Sequence, residues 1–274
     1  MKSCVTISSV PSLKGGPWIL WDNLEKSLET ASEIGFDGVE LFTSKASIDT
    51  NVPLARLLER HNLTVGAVGT GAGKVLHGLT LTDPDSSIRK KARQFIKDMI
   101  IFGAELSAPS ILGSMQGSYG NDCTRETAIR YLEEALQELG EFAISQGTFF
   151  IYEPLNRYET NLFNQFEDAC NFCRSLNSNG IKVLADLFHM NIEESSIEAS
   201  IRPNADVLGH VHFADSNRKP VGFGHTDMKP ICECLKEINY NGYISAEAFA
   251  WPDPDTAARQ TLKSYRQFFC QSDV

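Results

Sequence analysis

The chain has 274 residues, a hydrophobic fraction of 42% and a formal net charge of −10. This length is close to that of a single (β/α)8 barrel, and the negative charge disfavours binding to nucleic acids or to anionic membrane surfaces. No apolar run reaches the roughly 20 residues needed to cross a bilayer, and the seven cysteines are too irregularly spaced for a disulfide framework. We therefore expect a cytoplasmic protein that binds neither nucleic acid nor membrane.

Segments of strand length alternate with segments of helical period along the chain. The predicted strands span, in order, residues 4–10, 38–42, 64–69, 107–115, 148–154, 181–187, 207–215 and 243–249. Helices are predicted over 22–34, 53–60 and 165–176, near Ser196, and from start signals at Asp83-Pro84, Thr124, Thr226-Asp227 and Asp253-Pro254. Strict alternation of this kind indicates a parallel sheet.

Eight strand–helix units in about 270 residues favour a closed barrel over an open, doubly wound sheet. No glycine-rich phosphate motif follows the first predicted strand, which disfavours a dinucleotide-binding fold. The predicted fold class is therefore α/β, a (β/α)8 TIM barrel that forms a single domain over residues 1–274.

Four consecutive predicted strands end in a side chain that can bind a metal ion, namely Glu153, Asp186, His212 and Glu247. Active sites of such barrels lie at the carboxyl ends of the strands, and neighbouring strands are about 5 Å apart, so the four side chains can converge. Three carboxylates packed together repel one another, and a divalent cation relieves that repulsion. Three oxygen donors and one imidazole suit Mn²⁺, which we expect first, or Co²⁺ or Mg²⁺, with Zn²⁺ less favoured.

Three further polar residues lie on predicted strands or directly after one. Glu40 ends the second strand, where it either reaches the metal site or forms an ion pair inside the barrel. His210 lies one layer below His212 and is either a partner of the metal ligands or a core histidine. Gln116 ends the fourth strand and is a candidate substrate contact.

Longer motifs surround the four candidate ligands: Glu153-Pro154-Leu155-Asn156-Arg157-Tyr158-Glu159, Asp186 to Glu194, Gly209 to His212 with Asp215 to Arg218, and Glu247-Ala248-Phe249. On these motifs the sequence resembles the sugar isomerase/epimerase superfamily with the xylose-isomerase-like barrel, and it is most similar to the D-tagatose/D-psicose 3-epimerase branch. Departures from that branch occur in the loop 113–120, at Pro154, at Asp215 and in the loop 221–225. They line the substrate end of the barrel.

The resemblance implies roles for individual residues. It implies that Glu153, Asp186, His212 and Glu247 bind the metal ion, and that Glu153 and Glu247 also act as an acid/base pair on opposite faces of the sugar. It further implies that Glu159, His189 and Arg218 hold substrate oxygens. A homo-oligomer, either a dimer or a tetramer, is the assembly that the resemblance suggests.

The expected activity is that of a metal-dependent isomerase or epimerase of a ketose or related keto-sugar, by proton transfer through a metal-stabilised enediolate. A lyase or dehydratase acting on a keto-sugar or keto-inositol would use the same enediolate and stays an alternative. A phosphodiesterase like the apurinic endonucleases needs more histidine ligands and a basic face. An inactive sugar-binding barrel predicts a broken acid/base pair, yet both Glu153 and Glu247 are present.

Overall fold

The computed structural model describes residues 1–270, in which eight parallel strands close a barrel in sequence order. The strands are β1 (Lys2–Ser8), β2 (Gly38–Phe42), β3 (Thr64–Gly69), β4 (Ser110–Leu112), β5 (Phe150–Tyr152), β6 (Ile181–Asp186), β7 (Leu208–His212) and β8 (Tyr243–Ala246). Pairing of β1 with β8 closes the sheet. The predicted (β/α)8 barrel is confirmed. Residues 271–274 of the predicted single domain lie outside the described residues.

Helices connect the strands and cover the outside of the barrel. Within residues 1–270 they are α1 (Leu24–Ile34), α2 (Leu54–Arg60), α3 (Ala72–His77), α4 (Ser86–Glu105), α5 (Arg125–Ser145), α6 (Phe166–Ser175), α7 (Leu187–Glu193), α8 (Ile197–Ile201), α9 (Met228–Glu237) and α10 (Pro254–Tyr265). Side chains of Thr124, Asp227 and Asp253 accept backbone N–H groups at the starts of α5, α9 and α10, as their positions predicted. Helix α4 is capped by Asp85, two residues after the predicted Asp83.

The core lies between the barrel and its helices. One face of α4 buries Ala92, Ile96, Met99 and Ile100, which recur at the three- and four-residue spacing of an amphipathic helix. The matching face of α5 is buried in the same way. This packing fixes the strands, and therefore the side chains at their carboxyl ends.

Most predicted strands run past the points where the real strands end. Strand β1 ends at Ser8, β4 at Leu112 and β8 at Ala246, and a short 3-10 turn follows β4 over Ser114–Gln116. Apolar composition continues into these loops, whereas the hydrogen bonds between strands stop at the rim. As a result Glu153 and Glu247 lie just beyond β5 and β8, at the start of the loops that form the site.

Candidate metal centre and active site

The four predicted metal ligands converge at the carboxyl end of the barrel. One ligand atom from each of Glu153, Asp186, His212 and Glu247 lies within 4.8 Å of all the others. His212 Nδ1 is 3.2 Å from Asp186 Oδ2, 3.3 Å from Glu153 Oε1 and 3.8 Å from Glu247 Oε2. Neighbouring ligands of a cation with bonds of 2.1 Å are about 3 Å apart, so the donor set fits one divalent ion.

The two carboxylate oxygens of Asp186 have different partners: one caps a helix and the other faces the candidate site. It is the last residue of β6 and the N-cap of α7, where Oδ1 accepts the backbone N–H groups of Phe188 and His189 at 2.8 and 3.1 Å. That capping contact leaves Oδ2 directed at His212. The strand-to-helix turn therefore fixes this carboxylate before any ligand binds.

Glu153 is held through its backbone, which leaves its carboxylate for the site. Its N–H donates to Leu112 at 3.0 Å, and its carbonyl accepts from the Gln116 side chain at 2.9 Å. Among the described residues the buried Oε1 atom has no hydrogen-bond partner. A buried carboxylate oxygen needs a partner, and a metal ion supplies one.

Glu247 has a pKa above that of an ordinary carboxylate. Burial raises the pKa of Glu247 to about 7, although the positive charge of Arg218 opposes the rise. Arg218 Nη2 donates to Glu247 Oε2 at 2.6 Å and Nη1 donates to Glu159 Oε1 at 3.2 Å. The Arg218 guanidinium therefore connects the four candidate ligands to a further carboxylate, that of Glu159.

The acidic residues around His212 favour positive charge at the centre of the cluster. Burial lowers the pKa of His212, but Glu40, Asp186 and Glu153 outweigh it and hold that pKa well above its usual range. The pKa of Asp186 is in turn held well below its usual range by His189 and His212, against the effect of burial. The electrostatics of the cluster therefore favour a cation.

His189 is buried behind the cluster with one ring nitrogen available. Its Nδ1 lies 2.7 Å from the side-chain amide of Asn156, and donation from that amide assigns the imidazole proton to Nε2. In residues 1–270 that Nε2 has no hydrogen-bond partner and lies 3.8 Å from Asp186 Oδ2. Asn156 belongs to the motif quoted above that follows β5, but no role was predicted for it.

The structure does not bring Gln116 to the substrate cavity. Its side chain is 0% exposed. The amide donates to the carbonyls of Gly113 and Glu153, and its oxygen accepts from the Tyr152 hydroxyl at 2.9 Å. Gln116 thus supports the backbone that carries Glu153, and the expected substrate contact is replaced by a positioning role.

A cavity of about 200 Å³ opens above the cluster. Its polar wall comprises Glu40, Glu153, Glu159, His212, Arg218 and Glu247. Its apolar wall includes Trp18, Phe42, Val75, Ile111 and Leu155. A larger groove of about 910 Å³ lies beside the loops after β1 and β2, but it contains none of the four clustered ligands. The candidate metal ligands therefore lie at the smaller cavity.

The chain belongs to the xylose isomerase-like TIM barrel family, whose model matches residues 28–268. It is 32% identical over 235 residues to a D-psicose 3-epimerase of Ruminiclostridium cellulolyticum, covering 81% of this chain and 77% of that protein. It is 34% identical over 134 residues to a 3-dehydro-D-guloside 4-epimerase of Escherichia coli, covering 48% of this chain and 51% of that protein.

A solved structure repeats the fold along nearly the whole chain. The structure of D-psicose 3-epimerase with D-tagatose from Clostridium cellulolyticum aligns with a TM-score of 0.80 at 26% identity, covering 98% of this chain and 99% of that chain. The family resemblance drawn from the sequence is confirmed. None of the helices within residues 1–270 is both long and apolar enough to cross a lipid bilayer.

Proposed function

We propose that this protein is a metal-dependent epimerase or isomerase of a ketose or closely related keto-sugar, with Mn²⁺ as its first-choice cation and Co²⁺ or Mg²⁺ as substitutes. The observation that carries the proposal is the convergence of Glu153, Asp186, His212 and Glu247 at the carboxyl end of a closed barrel. The sugar epimerases among its relatives support the substrate class.

The donor set agrees with a hard divalent cation, because three of the four ligands are carboxylates and one carboxylate oxygen of Glu153 is buried without a partner in the described residues. When bound, the cation polarises the substrate carbonyl and neighbouring hydroxyl and stabilises the enediolate charge. The side chains of Glu153, Asp186, His212 and Glu247 hold it there.

Proton transfer falls to Glu153 and Glu247. One carboxylate removes the proton from the carbon beside the carbonyl, and the other returns a proton to the opposite face, which inverts that carbon. Return of the proton to the adjacent carbon instead gives aldose–ketose isomerisation.

Substrate oxygens are oriented by residues around the cluster. Arg218 presents its guanidinium between Glu247 and Glu159, within reach of the cavity that all three line. His189 is buried and is not among the residues that line the cavity, so its expected contact with a substrate oxygen stays a prediction. The apolar wall with Trp18 and Phe42 excludes water from one side of the cavity and favours the less polar face of a sugar ring.

We also propose the compartment, the partner and the assembly of the enzyme. All seven cysteines lie within residues 1–270 and are free thiols, which supports a reducing, cytoplasmic compartment. We propose a small-molecule sugar as the binding partner and expect a homo-oligomer, either a dimer or a tetramer.

The proposal is tested with purified protein stripped of metal by a chelator. Mn²⁺, Co²⁺, Mg²⁺ or Zn²⁺ is then added with a panel of ketoses and 3-keto-glycosides, and the products are separated by chromatography and weighed by mass spectrometry. We expect a metal-dependent product of unchanged mass. Loss of water or of an aglycone would establish the lyase alternative, and turnover unaffected by chelator would contradict the metal site.

A further inference from the structure

The Glu40 side chain lies inside the barrel and contacts two histidines of a distant strand. It lies on β2, whereas His210 and His212 lie on β7, with β1 and β8 between them in the sheet. Glu40 Oε2 is 2.9 Å from His210 Nε2, and Oε1 is 3.2 Å from His212 Nε2. All three side chains are at least 95% buried.

These contacts fix the proton of each imidazole. An ionised carboxylate only accepts hydrogen bonds, so the two imidazole nitrogens that face Glu40 are donors. With its proton on Nε2, a neutral His212 has its lone pair on Nδ1. That atom is the one that faces Asp186, Glu153 and Glu247.

We propose that Glu40 is a positioning residue of the metal centre, which holds the His212 ring with Nδ1 free to bind the cation, while His210 holds the second oxygen of Glu40. This inference rests on the metal site of the proposed function. Carboxylates that accept the far N–H of a metal-binding histidine fix its tautomer and orientation and increase its basicity, and their loss typically weakens metal affinity 10- to 100-fold.

A second cation between Glu40, His210 and His212 is the competing explanation, because their ligand atoms also lie within 4.8 Å of one another. His212 would then bind one ion through each nitrogen, and its ring would have to lose both protons. Neutral imidazole binds metal through one nitrogen while the other keeps its proton. The arrangement therefore predicts one ion per chain.

A purely structural role for Glu40 is the other explanation, and it predicts lost stability with unchanged metal affinity. Thr6 provides a matched control, because it lies beside Glu40 in the strand register and is 0% exposed. Its hydroxyl donates to the Ala246 carbonyl at 2.7 Å. The same hydroxyl accepts from the Ile19 N–H at 3.0 Å, so Thr6→Val removes two buried hydrogen bonds but leaves both histidines with their carboxylate.

The main experiment titrates Mn²⁺ into metal-stripped protein by calorimetry and follows thermal unfolding in parallel. We expect one ion per chain, about 10- to 100-fold weaker binding in Glu40→Gln, and wild-type affinity in Thr6→Val at any melting temperature. His210→Gln keeps an N–H for Glu40 and should bind more tightly than His210→Leu. Wild-type affinity in Glu40→Gln, or two ions per chain, would overturn the inference.

A measurement on the wild type removes dependence on the folding of a variant. In Mg²⁺-loaded protein with ¹⁵N-labelled histidine, NMR should find the His212 proton on Nε2, with His210→Gln used to assign the signals. A proton on Nδ1 would overturn the inference while leaving metal binding intact. Failure of the wild type to bind any cation would instead defeat the proposed function and this inference together.

Discussion

Gly113 is the point where the backbone passes closest to the Glu153 carboxylate. A Cβ atom at this position would lie 2.6 Å from Glu153 Oε2, a distance that real Cβ contacts do not reach. The absent side chain makes room for the Glu153 carboxylate.

Gly113→Ala should therefore displace the Glu153 carboxylate and lower kcat/KM about 10- to 100-fold, because misplacement by about 1 Å is enough for such a loss. Steady-state kinetics at saturating Mn²⁺ measures the effect. Gly120→Ala is the matched control, since no described atom lies within 4 Å of its Cβ position. Equal kinetics in the two variants would contradict the proposed crowding.

At the residue scale the sequence predicted which side chains meet but not what each does there. Glu153, Asp186, His212 and Glu247 were identifiable because each follows an apolar strand at the active end of the barrel. The hydrogen bond from the Gln116 amide to the Glu153 carbonyl depends on the 3-10 turn after β4, and that turn has no clear sequence signal. Contacts of this kind are set by tertiary packing.

The loop from β7 to α9 is organised by one buried aspartate. Asp215 Oδ1 accepts the N–H groups of Ser216 and Thr226 at 2.8 and 3.0 Å, and Oδ2 accepts that of Gly222 at 2.9 Å. The same loop carries Arg218, whose backbone has a positive φ of 57°. Asp215 thus stabilises the conformation that directs Arg218 at Glu247.

Burial alone would raise the pKa of Asp215, but the backbone donors Thr226, Gly222 and Ser216 outweigh it and lower that pKa below its usual value. The ionised form therefore stabilises the fold above the unfolded pKa of about 3.9, and this contribution is lost as the pH falls through the lower folded pKa. Asp215→Asn should reduce the free energy of unfolding by about 1–3 kcal/mol at pH 7.

The pH dependence of this difference in the free energy of unfolding tests whether it arises from the ionised Asp215 carboxylate. Urea unfolding of both proteins between pH 3 and pH 7 should give a constant difference down to about pH 5 and a smaller one below about pH 4. Asp22→Asn, at an exposed position, removes the same charge without those contacts and serves as the control. A difference for Asp215→Asn that stays equal at pH 3 and pH 7 would contradict the account.

Element boundaries at the site were the least predictable part of the fold. Helix α7 was missed, although Asp186 is a typical N-cap and accepts two backbone N–H groups at its start. The apolar run of β6 continues through Leu187 and Met190, so the change from strand to helix has no break in composition. The long helices α4 and α5, with their regular periodicity, were predicted well.

Both the protein as a whole and its cavity carry negative charge, which disfavours an anionic substrate. The net charge is −10, and the cavity is lined by four carboxylates, Glu40, Glu153, Glu159 and Glu247. The guanidinium of Arg218 already contacts two of them. A phosphate group would add further negative charge to this cavity with no unpaired basic side chain among the described lining residues.

A phosphorylated ketose should accordingly be a poorer substrate than the free sugar. Juxtaposed like charges cost several kcal/mol, so we expect kcat/KM to be lower by about 100-fold or more. Competition kinetics with a ketose and its 6-phosphate at low and high salt measures the ratio, which should narrow as salt screens the repulsion. A preference for the phosphate would contradict this reading of the cavity.

At the scale of the molecule the alternation of strands and helices was enough to predict the barrel, because eight such units leave few other ways to close a parallel sheet. The choice of sugar was not predictable. The cavity wall comes from several separate loops and includes Trp18, Phe42 and Arg218, whose side-chain positions follow from packing between elements.

Proton transfer through an enediolate is tested by following the uptake of deuterium from D₂O into the sugar. Mn²⁺-loaded wild type should incorporate deuterium at a carbon beside the ketose carbonyl, as read by NMR. Glu247→Gln should slow this exchange about 10²- to 10⁴-fold through loss of a proton-transferring carboxylate, whereas Glu159→Gln should retain exchange with a raised KM. Exchange that is unchanged in Glu247→Gln, or absent from metal-loaded wild type with every keto-sugar tried, would contradict the proposed chemistry.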